Sequence, residues 1–353
     1  MFHLRARALV RRSLAACAVA AACLLAACEG QPAKGPAPAP VDAPHPAPAP
    51  NEAANGAATP ATKPLRVGFA QIGAESDWRK ANTDSIRREA EKRGIELVFS
   101  DAQQKQDNQI KALRSFIAQG VDVIAFSPVV ETGWEPVLKE IKAAGIPVVL
   151  TDRAVEVSDD SLYVTFIGAD FVEEGRQAAA WLAEATGGKA TIAELQGTPG
   201  SAPAIDRKKG FEEVIKTHPG MTIVKTQSGE FTRAKGREVM ETFLKSPEGA
   251  SITALYAHND DMAIGAIEAI KAAGRTPGKD IRIVSVDAVK AAFEAMVKGD
   301  LNCTVECSPL LGPQLFDAVQ AVAQGKQLPR RIVTPAKVYG QATAAQDLPS
   351  RVY

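Results

Sequence analysis

The chain has 353 residues, 46% of them hydrophobic, with 41 Lys plus Arg against 41 Asp plus Glu. That length suggests about two domains, and the apolar fraction is ample for real cores. The balanced charge offers no basic stripe, so no nucleic-acid partner is expected.

Residues 1–27 read as an export signal. Arg5, Arg7, Arg11 and Arg12 precede a small apolar run, 13–27, that is too short to span a bilayer comfortably. The run ends in Leu25-Ala26-Ala27-Cys28, which resembles a bacterial lipobox with Cys28 as the lipidated new N-terminus. The alternative is an unlipidated signal cleaved nearby. Removing four Arg and no acid takes the formal net charge from 0 to −4. Residues 28–64 are dominated by Pro, Ala and Gly and cannot bury a core, so they read as a disordered tether. Such a tether would lift a globular body off a membrane, with the lipid as its only membrane contact.

From residue 65 strands and helices alternate steadily. Strands are expected at 65–70, 95–99, 121–126 and 146–150, with helices at 78–92, 108–119 and 134–144 between them. Gly94, Gly120 and Gly145 close those helices, each just before a β-branched run. After a strand at 162–167 the beat resumes, with helices at 172–185, 205–217, 233–244, 261–273 and 290–297. The strands among them fall at 191–195, 222–226, 252–256, 281–286 and 301–306, followed by a helix at 311–323 and a last strand at 332–339. This is the α/β class, with two doubly wound parallel sheets of similar size.

Open α/β sheets place ligand sites beyond the carboxyl ends of their strands. There the chain carries Glu75-Ser76-Asp77-Trp78-Arg79, Thr151-Asp152-Arg153, Asp206-Arg207, Glu230-Phe231, His258-Asn259-Asp260, Asp287 and Glu306. Carboxylates accept from hydroxyls, guanidinium donates through a rigid fork, and an aromatic face covers a sugar ring. Near-matched signs argue for a neutral polyol. Bland readings compete at several positions. Asn259 could simply cap a helix, Asp152 and Arg153 could be a strand-end ion pair, and Arg207 could lie on a solvated helix face. Trp134 reads as packing.

No G-x-S-x-G elbow, P-loop or H-E-x-x-H motif occurs, and Gly197-Thr-Pro-Gly200 lacks the Lys-Ser/Thr of a phosphate loop. A glycosidase is the enzyme reading to weigh against binding, and no metal site or cofactor is expected. Cys303 and Cys307 stand four apart, about 13 Å in a strand, against the roughly 7 Å limit for a disulfide. They should be free thiols.

The segments Gln71-Ile-Gly-Ala-Glu-Ser-Asp-Trp-Arg79, Gln103-Gln-Lys-Gln-Asp107, Pro128-Val-Val-Glu-Thr-Gly-Trp-Glu-Pro-Val-Leu138, Ala204-Ile-Asp-Arg-Lys-Lys-Gly-Phe211 and Ala257-His-Asn-Asp-Asp-Met-Ala-Ile-Gly265 carry a resemblance. From 65 to about 339 the chain is similar to the periplasmic sugar-binding proteins of the ribose/galactose class that feed ABC importers, nearest their galactofuranose branch. That resemblance implies a type I periplasmic binding protein fold with crossovers near Ile167, Glu306 and Ala336. Residues 65–167 plus 307–335 would form one lobe and 168–306 plus 336–353 the other. It implies a monosaccharide held by Trp78, Arg79, Asp152, Arg153, Arg207, Phe231, Asn259, Asp287 and Glu306. Trp78 would cover the ring, while Arg79 and Glu306 would serve hydroxyls beyond a pentose. The partner would be an inner-membrane ABC permease, or alternatively a chemoreceptor or sensor kinase, and the protein would act as a monomer.

Overall fold

The computed structural model describes residues 63–353. The signal, Cys28 and residues 28–62 of the tether lie outside the described residues. Lys63 and Pro64 lead, exposed, into the first strand.

In the first lobe, strands β1 (Arg66–Gln71), β2 (Glu96–Asp101), β3 (Val123–Phe126), β4 (Val148–Thr151) and β5 (Thr165–Gly168) alternate with α1 (Asp77–Lys92), α2 (Gln106–Ala118) and α3 (Glu135–Ala143). In the second, α4 (Phe171–Thr186), β6 (Lys189–Gln196), α5 (Ala202–Ile215), β7 (Gly220–Ser228), α6 (Arg233–Lys245), β8 (Ala254–Ala257), α7 (Asp260–Ala272), β9 (Arg282–Asp287), α8 (Lys290–Lys298) and β10 (Cys303–Glu306) follow. The chain then returns for α9 (Gly312–Ala323) and β11 (Arg331–Val333), and crosses once more for β12 (Val338–Gly340). The strand orders are β11-β5-β4-β3-β1-β2 and β12-β10-β9-β8-β6-β7, two copies of one doubly wound plan. All pairings are parallel except β10 with β12.

The residue pattern explains the layers. In β3, alternate side chains take opposite faces. Ile124 and Phe126 join Phe116, Leu113, Trp134 and Ile141 under α2 and α3. Val123 and Ala125 join Ile86, Leu315 and Phe316 under α1 and α9. A sheet buried on both faces needs such all-apolar strands. Trp134 is packing, as its position suggested: its ring lies 5.1 Å from that of Phe126, and its indole N–H donates to the Val130 carbonyl.

One expected strand divides. The run 332–339 is not a single strand, because Pro335 offers no N–H to a ladder and the chain changes lobe there. Ile332 pairs with Ile167 in the first sheet, and Tyr339 pairs with Thr304 in the second. Helix α5 also starts earlier than expected, at Ala202, with Pro203 in its first turn. Proline is well tolerated there because that N–H has no helical partner. Both described cysteines are free and buried, as their spacing requires.

Candidate functional site

A small cavity lies where the strand ends of the two lobes face each other. Its wall is Glu75, Ser76, Trp78, Arg79, Asp152, Arg153, Pro203, Arg207, Phe231, Asn259, Asp287 and Cys307. The strands β1, β4, β7, β8, β9 and β10 thus each deliver a residue at or beyond their carboxyl ends, and α5, following β6, adds Pro203 and Arg207.

On the first-lobe side the polar groups hold one another in place. Ser76 caps α1 by accepting from the Arg79 N–H at 3.1 Å, which fixes the first turn bearing Trp78 and Arg79. The Arg79 guanidinium donates to Asp152 Oδ2 at 2.7 Å, to Glu75 Oε1 at 3.0 Å and to Gln71 Oε1 at 3.3 Å. Ser127 Oγ donates to the same Asp152 oxygen at 2.9 Å. Burial would raise the Asp152 carboxyl, but Arg79 and Arg153 outweigh it and hold the group below the ordinary carboxylate range. Arg153 is the reverse: burial, with the like charge of Arg79 beside it, draws its guanidinium down to about 10. It donates to the Val129 carbonyl at 3.1 Å, while its Nε has no hydrogen-bond partner. Glu75 Oε2 has none either. An unpaired donor and an unpaired acceptor thus stand in a buried wall.

On the second-lobe side Arg207 is the organiser. Only 3% exposed, it is no solvated face residue. It donates to Glu174 Oε2 at 2.8 Å and to the His258 carbonyl at 2.6 Å, with Asp287 Oδ1 3.6 Å away. Burial pushes the Asp287 carboxyl well up despite Arg207, helped by nearby Asp260. His258 itself supports this side from behind. Its Nδ1 accepts from the Gly197 N–H and its Nε2 faces Glu194 Oε1 at 3.2 Å, and burial draws its pKa down. The Asn259 Oδ1 caps α7 by accepting from the Met262 N–H, and the residue also lines the cavity. Its amide also donates to the Phe231 carbonyl at 3.1 Å, fixing the loop that carries the Phe231 ring.

The lobes are closed on each other. The Arg153 guanidinium lies 5.2 Å from the Phe231 ring centroid, and the Glu131 N–H donates to the Gly200 carbonyl at 2.9 Å. Asp152, Phe231 and Asp287 all hold positive φ, at 64°, 61° and 124°. Non-glycine residues held in sparsely populated backbone regions gather at ligand sites.

Eight of the nine residues singled out by sequence meet in this wall. Glu306 does not. Its carboxylate accepts from Arg351 Nη2 and from the Tyr353 hydroxyl, both at 2.9 Å, at the end of β10. The next residue, Cys307, just past the end of β10, lines the cavity instead. Sequence reasoning named Glu75 and Ser76 within the cluster without assigning them to the wall, and missed Pro203 and Cys307. Nothing in the sequence fixes which way the chain turns after a strand end.

Three comparisons complete the picture. The family profile described as periplasmic binding protein domain matches residues 67–327. The galactofuranose-binding protein YtfQ of Escherichia coli (strain K12) is 52% identical over 288 residues, 81% of this chain and 91% of that one. The periplasmic binding protein component of the arabinose ABC transporter from Shewanella sp. ANA-3, solved with α- and β-L-arabinofuranose, superposes with a TM-score of 0.80 at 56% identity, covering 81% of this chain and 95% of its own. A Mycobacterium smegmatis protein in complex with β-D-fucofuranose superposes with a TM-score of 0.79 at 55% identity, covering 81% and 94%. The chain belongs to the periplasmic binding protein domain family, among the sugar-binding proteins of ABC transporters, and is a binding protein rather than an enzyme.

Proposed function

We propose that the protein captures one monosaccharide in its furanose form, with the ring configuration of galactose, and presents it to an ABC permease. The observation that carries this is the pairing of two orphans, Arg153 Nε and Glu75 Oε2, in the wall of a closed cavity. Buried polar atoms are ordinarily satisfied, and a hydroxyl can donate to one while another accepts from the other. Three guanidinium groups, of Arg79, Arg153 and Arg207, face three carboxyls, of Glu75, Asp152 and Asp287, which suits a neutral ligand. The Trp78 and Phe231 rings supply its apolar cover.

The furanose reading draws on the relatives. The sugars named for the three relatives share one ring configuration and differ only in the chain beyond it. By its likeness to them this cavity reads the ring hydroxyls closely. Ribose, with another configuration, would leave a buried group unpaired, at about 1–3 kcal/mol each. Galactose in water is mostly pyranose, so its apparent affinity would be weakened by the small competent fraction. Calorimetric titration tests this: L-arabinose, D-fucose and D-galactose should bind, and D-ribose and D-glucose about tenfold or more weakly. Tighter binding of ribose or glucose would overturn the assignment.

The lobes, 65–167 plus 307–335 and 168–306 plus 336–353, would act as one monomeric carrier in the periplasm. The Leu25-Ala-Ala-Cys28 pattern and the Pro/Ala tether support lipid anchoring. Cys28→Ser should then release the protein from membranes or block its processing. A wild type that takes up no labelled palmitate would sink the anchor.

A further inference from the structure

Beside the cavity, but outside its wall, three charged residues join the lobes. Asp77 opens α1 in the first lobe, Arg233 opens α6 and Asp261 lies in the first turn of α7, both in the second. Arg233 Nη2 donates to Asp77 Oδ2 and to Asp261 Oδ1, each at 3.0 Å. The Asp77 backbone N–H donates to Asp261 Oδ2 at 2.8 Å. That N–H is one of the four a helix N-terminus leaves without an internal partner. Asp261 therefore caps a helix that belongs to the opposite lobe. Its side chain is 5% exposed, whereas those of Asp77 and Arg233 are roughly half open to water at 43% and 41%.

We propose that Asp77, Arg233 and Asp261 form a latch that sets how long a bound ligand is retained, by stabilising the closed lobes without touching the ligand. The proposal rests on the sugar-binding reading above. Separating the lobes breaks the Arg233 link to Asp77 and takes the α1 N–H away from Asp261. A ligand enclosed in the cavity leaves only after that separation. Bonds made only in the closed form slow release and leave encounter alone, which is where most affinity differences between related complexes lie. Within α1, Lys80 Nζ also donates to Asp77 Oδ1 at 3.2 Å, so Asp77 retains a partner when the lobes part.

The test uses Asp77→Ala and Arg233→Ala, singly and together, with stopped-flow kinetics of L-arabinose. Exposed ion pairs contribute about 0.2–1 kcal/mol, so each single variant should release the sugar up to about fivefold faster, with the association rate changed less than about twofold. The double variant should be no faster than the faster single, since both remove one shared interaction. Salt should speed release from the wild type and not from the variants. Unchanged release, or singles whose effects multiply, would overturn the latch.

A ligand-free measurement separates the latch from the sugar reading. Cys307 lies buried in the cavity wall, and Cys303 is buried in the core. N-ethylmaleimide labelling, located by mass spectrometry, should reach Cys307 faster in Asp77→Ala than in wild type and leave Cys303 unchanged. Equal Cys307 rates would overturn the latch whatever sugar binds. Faster labelling in a protein that binds no L-arabinose would support the latch and count against the arabinofuranose-like ligand.

Discussion

Asp152 holds a left-handed backbone, φ 64°, directly after β4, and spends one carboxylate oxygen on Arg79 and Ser127. Such backbone costs about 1–3 kcal/mol and persists only where the surroundings over-determine it. Here the surroundings are two guanidinium groups in a site closed to water. Because its folded pKa is depressed, Asp152 contributes stability at neutral pH, and that contribution is lost only as pH falls through the depressed value. Asp152→Asn keeps the shape and tolerates the backbone, since Asn visits this region more readily than most residues. It removes the carboxylate shared by Arg79 and Arg153, leaving Arg79 with Glu75 as its remaining counter-charge. Loss of a hydrogen bond to a charged partner costs about 1.5–3 kcal/mol, so sugar affinity should fall about tenfold or more in a calorimetric titration. Unchanged affinity would remove Asp152 from the site. At this scale the sequence was legible where residue type and strand end coincide, as at Asp152, Arg207 and Asp287. It was silent where only the turn of the chain decides, as between Glu306, which ties down Arg351, and Cys307, which faces the cavity.

Helices α4 and α5 meet backbone to backbone. A Cβ on Gly175 would lie 2.2 Å from the Arg207 carbonyl oxygen, and one on Gly210 would lie 1.9 Å from that of Val172. The pair α6 and α7 repeats the device: a Cβ on Gly265 would lie 2.0 Å from the Arg233 carbonyl oxygen. Each close contact positions a helix start that serves the site, with Arg207 on α5 and Asn259 capping α7. Backbone cannot swing aside as a side chain can. Gly175→Ala should therefore push α5 and Arg207 outward, lowering the thermal midpoint by the cost of overpacking, about 1–3 kcal/mol, and weakening sugar binding with it. An unchanged melt with unchanged affinity would contradict this. The alternation of strands and helices was legible because fully apolar runs and closing glycines mark them. Glycine inside a helix was not, because one sequence cannot tell close packing from tolerance. The split of 332–339 between the lobes was masked by its strand-like composition, although Pro335 marks the break.

For the whole molecule, two similar sheets set their strand ends against each other, and three crossovers let the lobes part and close. The closed form encloses a small polar cavity in whose wall Arg153 Nε and Glu75 Oε2 are buried without a hydrogen-bond partner. Under the proposed transport role, closed lobes around a ligand would be the surface a permease reads. Ligand binding and closure are then one equilibrium, and only a ligand that satisfies the cavity shifts it. The chemistry of the wall was legible in the sequence; the two orphan atoms that say where hydroxyls belong were not, since they appear only once every neighbour is in place. The most direct measurement is a crystal structure of the protein grown with D-galactose. The account predicts a furanose ring in the cavity, one hydroxyl donating to Glu75 Oε2 and another oxygen accepting from Arg153 Nε. A pyranose ring there, or a furanose that leaves both atoms unpaired, would contradict it.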